Sequence, residues 1–319
     1  MDGRMLSHAR AVSPRRLIEH FGPPILSGLG GLLPALRAYG GLRARDARPA
    51  RGVATLGRLG SLEVRLAQHA ADVRKAQKLR YRIFYEEGAA APDAPTLVAR
   101  RDVDAFDGIC DHLLVLDHAD VRESGAPAVV GTSRLLRQGV AERHGGFYSA
   151  GEFEIGALLA RHRGSRFGEL GRSCVLAPYR NKRTVELLWH GIWTTMLRHR
   201  IDAMIGCGSL VGTDPDTLAL PLSFLHHFAA APEAWRARAL AQRRIDMNRM
   251  PKDAIDPKAA LRALPPLIKG YLRLGAFVGD GAVIDRKFGT TDVLIVLPVS
   301  AINARYVEHF GADAERHAA

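Results

Sequence analysis

The sequence predicts an α/β fold, and two observations carry this prediction. Short apolar stretches of strand length recur from about residue 61 onward, and stretches with one apolar helical face lie between them. Such alternation is typical of a sheet covered by helices. The chain has 319 residues, of which 47% are hydrophobic and 24% charged, so it is long enough to bury a sizeable core.

The first 60 residues differ from the rest. They contain ten arginines and three acidic residues, so they hold more than half of the net charge of +12. Their many Gly and Pro residues oppose a packed helix. We predict a basic, flexible leader, either disordered or in reversible contact with anionic lipid headgroups. Nucleic acid is less favoured as its partner, because aromatic side chains that stack on bases are nearly absent there.

Regular elements begin at residue 61. The stretch "LEVRLA" alternates as a strand does, and the next stretch, "ADVRKAQKLRYRIFYEE", places Val73, Ala76, Leu79 and Ile83 on one helical face. The stretches "HLLVLDH" and "AVVGTSRLL" indicate two further strands, separated by a polar connection.

The segment 169–200, "ELGRSCVLAPYRNKRTVELLWHGIWTTMLRHR", predicts a strand, a turn and a helix. The strand runs through Val175 and Leu176. The helix carries an apolar stripe made of Val185, Leu188, Trp189, Ile192 and Met196. "IDAMIGCGSL" adds a strand, and "TTDVLIVLPV" near the C-terminus adds a final one. No apolar run in the sequence is long enough to span a bilayer.

Three cations lie where this strand hands over to this helix: Arg180, Lys182 and Arg183. A helix N-terminus already carries partial positive charge from its unpaired N–H groups. Further cations there are unfavourable unless an anion lies opposite, and phosphate is the usual one. The turn therefore predicts a phosphate-binding corner.

Charged residues within apolar stretches form the second candidate site. Glu169 and Arg172 lie in one predicted strand, and Arg134 lies in another. They indicate either a salt-bridged sheet edge or a cleft in which a partly buried Glu serves as a base. Arg80 and Phe84, one helical turn apart, are either a surface cation over a core aromatic or the lining of a cleft for a carboxylate and an acyl chain.

Several other site types are not supported by the spacing. "DVDAFDG" has Asp107 where a calcium loop requires Gly, and Leu113 where it requires an acid. The glycines of "GCGSLVG" do not have dinucleotide-binding spacing. Three cysteines leave one unpaired under any pairing and show no metal-like spacing. We expect no metal and no resident cofactor, and a reducing, cytoplasmic environment because no signal sequence is evident.

A series of motifs resembles a known family. "LRYRIFYEE", "DVDAFDGICDHLLVLD", "VVGTSRLL", "EFEIGALL", "ELGRSCVLAPYRNKRTVELLWHGI" and "LPPLIKGYLRLGAFVGDGAVID…TTDVLIVLP" resemble the bacterial L-ornithine Nα-acyltransferases of the GNAT superfamily, over residues 62 to 312. The resemblance implies a GNAT-like fold, with a mixed central sheet flanked by helices and a C-terminal extension. It divides the chain into the leader (1–60), an acyltransferase core (61–212), and a helical segment with strands that completes the same domain (213–319).

The resemblance also implies an activity. The family moves a 3-hydroxyacyl chain from acyl carrier protein to the α-amine of L-ornithine and makes lyso-ornithine lipid. The co-substrate carries 4′-phosphopantetheine, and no other cofactor is implied. Because the product partitions into membrane, we expect a cytoplasmic enzyme that meets the anionic inner face of the cytoplasmic membrane through its leader.

The acyl-homoserine lactone synthases show a second similarity, which implies roles for individual residues. Their pattern places Glu169 and Arg172 in catalysis, although this chain has Gly171 where those synthases carry Ser. The implied substrate-binding residues are Arg80, Phe84, Asp104, Asp107 and Arg134. We expect Glu169 to be the general base, the two aspartates to hold the δ-ammonium of ornithine, and Arg80 or Arg134 to pair with its carboxylate.

The turn "RNKRTV" occupies the place of the GNAT pyrophosphate loop, but Arg183 and Val185 stand where small residues are typical. This departure favours a carrier-bound pantetheine phosphate over CoA, so that Arg180, Lys182 and Arg183 would bind the carrier. Three alternatives stay open: an acyl-homoserine lactone synthase, a CoA-dependent N-acyltransferase, and a non-catalytic basic protein that binds membrane or nucleic acid. Residues 213–257 predict either a lid over the acyl chain or a membrane-facing helix, and the sequence predicts no oligomeric state.

Overall fold

A computed structural model of the chain describes residues 55–121 and 125–302. The predicted leader, 1–60, lies outside the described residues except for its last six positions. Those positions contain the first strand, so the regular structure begins slightly before residue 61.

A single nine-stranded sheet organises the described residues. Its strands are β1 (Thr55–Leu59), β2 (Leu62–Leu66), β3 (Asp111–Val121), β4 (Pro127–Arg137), β5 (Phe167–Val175), β6 (Ala203–Val211), β7 (Arg244–Ile245), β8 (Phe277–Asp285) and β9 (Thr290–Pro298). They lie in the order β1-β2-β3-β4-β5-β6-β9-β8-β7. β5 and β6 are parallel, and the other neighbours are antiparallel. The fold is thus the predicted mixed sheet, and the segment after residue 212 supplies three of its strands.

The helices lie between these strands. They are α1 (Ala70–Tyr81), α2 (Ala94–Ala99), α3 (Gln138–Ala141), α4 (Ile155–Arg161), α5 (Lys182–Arg198), α6 (Ala219–Phe228), α7 (Pro257–Ala263) and α8 (Pro266–Leu274). α1 continues as a π-helical turn over Arg82–Glu86. Across 55–121 and 125–302, no helix combines the length and the apolar character needed to cross a bilayer.

Two buried clusters cover the faces of the sheet. Neighbouring strand residues alternate between the clusters: Leu135 and Met204 belong to one, and Leu136 and Ile205 to the other. This alternation follows from the two-residue period of a strand.

Helix α5 covers the β1–β4 part of the sheet. The Asn181 side chain caps it by accepting the N–H of Thr184 at 3.1 Å. Gly191 permits close packing, since a Cβ there would lie 2.5 Å from Val64. Most of the predicted stripe is buried or partly buried, but Val185 is 40% exposed because it lies in the first turn, at the end of the sheet-facing surface. Its inclusion in the core stripe was wrong.

The parallel pair β5–β6 opens the sheet. Their pairing covers the three positions from Phe167 to Glu169, whereas β5 runs on to Val175 and β6 to Val211. At the last point of close approach, a Cβ on Gly206 would lie 2.4 Å from the carbonyl oxygen of Leu170. The strands then separate, and their facing edges become the walls of a cleft.

Candidate active site

A cavity of about 580 Å³ occupies the cleft between β5 and β6. Polar side chains from β4, β5, β6 and β9 line one part of it, and apolar side chains from the end of α1 and from α8 line another. Such a cavity, mostly apolar with a few convergent polar groups, is typical of a site for a small molecule or an acyl chain.

Glu169, on β5, is the buried carboxylate of this cavity. It is 5% exposed. Its two oxygens accept the backbone N–H groups of Tyr148 and Ser149, each at 2.7 Å. Burial raises the pKa of Glu169 above its usual range, although the two N–H donors favour the charged form. The sequence-predicted base therefore faces the cavity in a fixed orientation.

Arg172, also on β5, sits on a β-bulge. Cys174 pairs with Thr132 and Gly171 pairs with Arg134, so Arg172 and Ser173 together oppose one residue of β4.

The backbone of Arg172 has a φ of 52°, in the left-handed region that non-glycine residues rarely adopt. Its guanidinium lies over the rings of Tyr148 and Phe288, at 5.1 and 4.5 Å. The bulge turns this cation toward the cavity.

Three arginines and three aspartates form a closed ring of ion pairs behind and beside the cavity. Going round it, each residue pairs with the next: Arg80, Asp102, Arg172, Asp104, Arg134, Asp107 and back to Arg80. Arg134 pairs with Asp104 at 2.6 Å, the shortest contact of the ring, and with Asp107 at 2.9 Å. Arg80, fully buried, bonds both of its aspartates at 2.8 Å. The ring joins α1, the segment between α2 and β3, β4 and β5.

Only two members of this ring line the cavity, namely Arg134 and Arg172. Although burial acts in the opposite direction, hydrogen bonding and charge from Arg80 hold the pKa of Asp107 below its usual range. The structure thus brings the predicted acceptor residues together, but Asp104 and Asp107 direct their oxygens to arginines. The predicted Phe84 does line the cavity, edge-on to Phe288 at 5.7 Å.

A second group of acids lies at the cavity, and its members are not among the site residues predicted from the sequence. Polar atoms of Glu152, Cys207 and Asp292 lie within 4.8 Å of one another, and the Cys207 thiol donates to Glu152 at 3.3 Å. Cys207, Asp292 and Asp285 line the cavity. Burial, with the charge of Asp292, raises the pKa of Glu152 to about 7, and burial raises the pKa of Asp292.

The sequence did contain a signal for this group. Asp292 is an acid within the apolar final strand, the same type of signal that identified Glu169 and Arg172. A thiol and two carboxylates are also possible metal ligands. Here the Cys207 thiol already bonds Glu152, Arg243 also bonds Glu152, and Thr290 bonds Asp292.

The cationic corner lies beside the cavity and does not line it. Arg180 donates to the carbonyl of Val175 at 2.9 Å and pairs with Glu87 at 3.0 Å. Glu87 is exposed and also lines the cavity, so it links the corner to the cavity mouth. Lys182 is half-buried, and the exposed Arg183 lies against Gly60 in the β1–β2 turn. Of the three predicted cations, Arg180 is thus the one that pairs with a residue lining the cavity, Glu87.

Comparisons with known proteins bear on this site. Residues 79–190 match the acetyltransferase (GNAT) domain family. The chain is 56% identical over 288 residues to an L-ornithine N(alpha)-acyltransferase of Rhizobium meliloti (strain 1021), which covers 90% of this chain and 95% of the relative. It is 54% identical over 260 residues to an enzyme of the same name from Agrobacterium fabrum (strain C58 / ATCC 33970), covering 82% and 88% of the two chains.

Among solved structures, a CoA-dependent acyl-homoserine lactone synthase is similar over 78% of this chain and 83% of that one, with 14% identity and a TM-score of 0.40. The relatives above are far more similar and cover nearly the whole chain. The chain therefore belongs to the L-ornithine N(alpha)-acyltransferase family, as the sequence motifs predict.

Proposed function

We propose that the protein transfers a (3-hydroxy)acyl chain from acyl carrier protein to the α-amine of L-ornithine, giving lyso-ornithine lipid. The observation that carries this proposal is the 56% identity, across 90% of the chain, to a relative named for N-acylation of L-ornithine. The cavity agrees with it, because it offers an apolar part for an acyl chain and a buried carboxylate beside a strand cleft.

The donor would occupy the cleft from the side of the cationic corner. Phe84, Ile268 and Tyr271 provide apolar walls for the acyl chain. Beyond Glu169, the facing edges of β5 and β6 offer backbone groups to the amides of a pantetheine arm. Arg180, which pairs with Glu87 at the cavity, would bind the phosphate at the outer end of that arm.

The acceptor would occupy the polar part of the cavity. The carboxylate of ornithine would pair with Arg134 and Arg172, whose guanidinium groups line the cavity. We place its δ-ammonium at Asp285 and Asp292, which line the cavity. The oxygens of Asp104 and Asp107 already form ion pairs with arginine. A cation beside Asp292 would also favour its charged form, which burial alone disfavours.

The chemistry requires a proton acceptor. The α-amine attacks the thioester carbonyl, a C–N bond forms, and the C–S bond breaks to release the pantetheine thiol. Glu169 would take a proton from the attacking amine, directly or through a water molecule. Backbone N–H groups near the bulge at Arg172 would stabilise the oxyanion. The α-amine is an ammonium group before it reacts, so it loses two protons when the amide forms. Glu169 would take one of them, and the other would leave on the thiol.

Mass spectrometry of the products tests this proposal. Purified protein would receive 3-hydroxyacyl-carrier protein or the matching acyl-CoA, with ornithine, lysine, glycine and S-adenosylmethionine in parallel. We expect N-acylornithine from the carrier donor. A homoserine lactone, or efficient turnover with acyl-CoA but not with the carrier donor, would replace the proposal with one of the two enzyme alternatives. The absence of any product would favour the non-catalytic alternative.

The acceptor assignment predicts a change in side-chain selectivity. Norvaline has the length of ornithine without its δ-ammonium. Because a hydrogen bond to a charged group contributes about 1.5–3 kcal/mol, Asp292→Asn should reduce the ornithine-to-norvaline ratio of kcat/KM by about 10- to 100-fold. An unchanged ratio in Asp292→Asn, together with a reduced one in Asp104→Asn, would return the ammonium to the original predicted position.

A further inference from the structure

The exposed face of α1 carries a row of cations. Arg74, Lys75, Lys78 and Arg82 are all exposed. Arg74, Lys78 and Arg82 are spaced four residues apart, and like charges at this spacing destabilise a helix. Within residues 55–121 and 125–302, Arg74, Lys75 and Lys78 form no ion pair. An external anionic partner would compensate this arrangement.

A groove lies next to these cations. It has a volume of about 280 Å³, with Lys75, Lys78 and Arg82 on its rim. Its floor is apolar and contains Leu79, Val129 and Leu176. We refer to these six residues as the basic groove. An apolar floor inside a cationic rim complements a helix that has apolar residues flanked by acids.

The basic groove is linked to the entrance of the active-site cavity through Glu87. Glu87 pairs with Arg82 at 3.3 Å and with Arg180 at 3.0 Å, and it also lines the cavity. One element borders both spaces: α1 contributes Leu79 to the groove, and its π-helical continuation contributes Phe84 to the cavity. A partner seated in the groove would therefore hold an attached arm at the cavity mouth.

We infer that the basic groove is the docking site of the acyl carrier protein, which places an acidic helix between Lys75, Lys78 and Arg82. The inference rests on the proposed function. It adds a surface on α1 to the corner at Arg180, which then receives only the pantetheine phosphate. A recessed apolar floor suits a protruding helix better than a flat membrane, and the position beside Glu87 suits a partner that must deliver a covalent arm.

The test is a charge reversal on the groove, Lys75→Glu with Lys78→Glu. Its matched control is Lys258→Glu with Arg262→Glu, which reverses two exposed cations on α7. Both variants would be assayed with an acyl-carrier donor and with acyl-N-acetylcysteamine, a small thioester that has no protein to dock. Direct binding to acyl carrier protein and to anionic vesicles would be measured alongside, with thermal unfolding as the check on folding.

We expect the groove variant to weaken carrier binding and to raise the carrier KM by about 10- to 100-fold, because rim charges chiefly govern association. Its kcat with the small donor should stay within about twofold of wild type, as should all values of the control. Equal loss with both donors, unchanged carrier binding, or a loss confined to vesicles would overturn the inference; the last outcome would assign the groove to a membrane. Carrier binding that depends on the groove, without any N-acylornithine, would refute the proposed function and leave the docking site standing.

Discussion

Two glutamates, Glu152 and Glu169, have raised pKa values for the same reason, burial, yet they are placed for different tasks. Glu169 lines the cavity, and two backbone N–H groups orient it. Glu152 lies behind Cys207 and Asp292 and bonds the thiol. Raised pKa values are common at active sites, but geometry decides which group can reach a substrate. We therefore keep Glu169 as the base and treat Glu152 as a buried acid that affects stability.

The role of Glu169 leads to a kinetic prediction. Glu169→Gln keeps the size of the side chain and both neighbouring donors but removes the base. It should lower kcat by about two to four orders of magnitude, the usual range for loss of general base catalysis. Single-turnover assays at saturating donor would measure it, with the exposed Glu154→Gln as the control. Near wild-type kcat in a folded Glu169→Gln variant would exclude this residue as the base.

Glu152 leads to a prediction about stability and pH. Its pKa is raised from 4.5 to about 7, so between these values the folded protein binds more protons than the unfolded chain. The contribution of Glu152 to the free energy of unfolding should therefore fall as pH rises through this window, by on the order of 3 kcal/mol.

Glu152→Gln stays neutral at every pH and should lack this fall. Denaturant unfolding at pH 5 and pH 8 would compare the two proteins. Wild type should lose more stability than the variant over this range. Parallel curves for the two proteins would show that Glu152 is already ionised in the folded state at pH 5.

At the scale of elements, the β5–β6 pair creates the site. Parallel pairing ends at Glu169, the bulge re-aims Arg172, and Gly206 lets the strands approach closely just before they separate. α1 widens into a π-helical turn where Phe84 reaches the cavity, a departure frequently found at functional sites. The cleft thus results from local irregularities in otherwise regular elements.

The close approach at Gly206 predicts the effect of a single methyl group. Gly206→Ala would place a Cβ 2.4 Å from the Leu170 carbonyl, a backbone atom that cannot rotate away. We expect a loss of about 1–3 kcal/mol of stability, and a lower kcat because the strands must move apart beside Glu169.

The matched control is Gly156→Ala in α4, where an added Cβ meets no atom of the described residues within 4 Å. There the substitution should be neutral or stabilise by about 0.5–1 kcal/mol. Thermal unfolding and kcat would be measured for both variants. A Gly206→Ala protein as stable and active as wild type would show that the strands have room to adjust.

At the scale of the whole molecule, two basic parts of the chain are candidates for different partners. The leader holds ten arginines, of which all but Arg58 lie outside the described residues. The basic groove is a separate site on the folded domain. We propose that the leader meets the anionic membrane and that the groove binds the carrier protein, which would let the enzyme receive its donor while it stays near the destination of its product.

This division predicts a selective effect of leader charge. Replacing Arg43, Arg45, Arg48 and Arg51 by Gln should weaken binding to anionic vesicles by about fivefold per charge, because each cation near such a surface contributes about 1 kcal/mol. Binding to neutral vesicles and turnover with ornithine should not change. Vesicle co-sedimentation would measure the effect, and equal binding by both proteins would remove the leader arginines from membrane contact.

The sequence by itself determined the α/β class, most of the strands, the helices α1 and α5, and the family. It could do so because strand alternation, helical faces and ordered motifs are local along the chain. It also identified Glu169, Arg172 and Arg134, since charges within apolar strands stand out, and it identified Phe84 through the family pattern; all four line the cavity.

Only the tertiary structure decided how these residues are partnered. The ring that engages Asp104 and Asp107 joins residues from 80 to 172, and the group at Glu152, Cys207 and Asp292 joins three distant segments. No spacing along the chain encodes such contacts, because they depend on which strands become neighbours and where β5 and β6 part. The physical reason is that burial, pairing and pKa are set by neighbours in space, and the sheet order selects those neighbours.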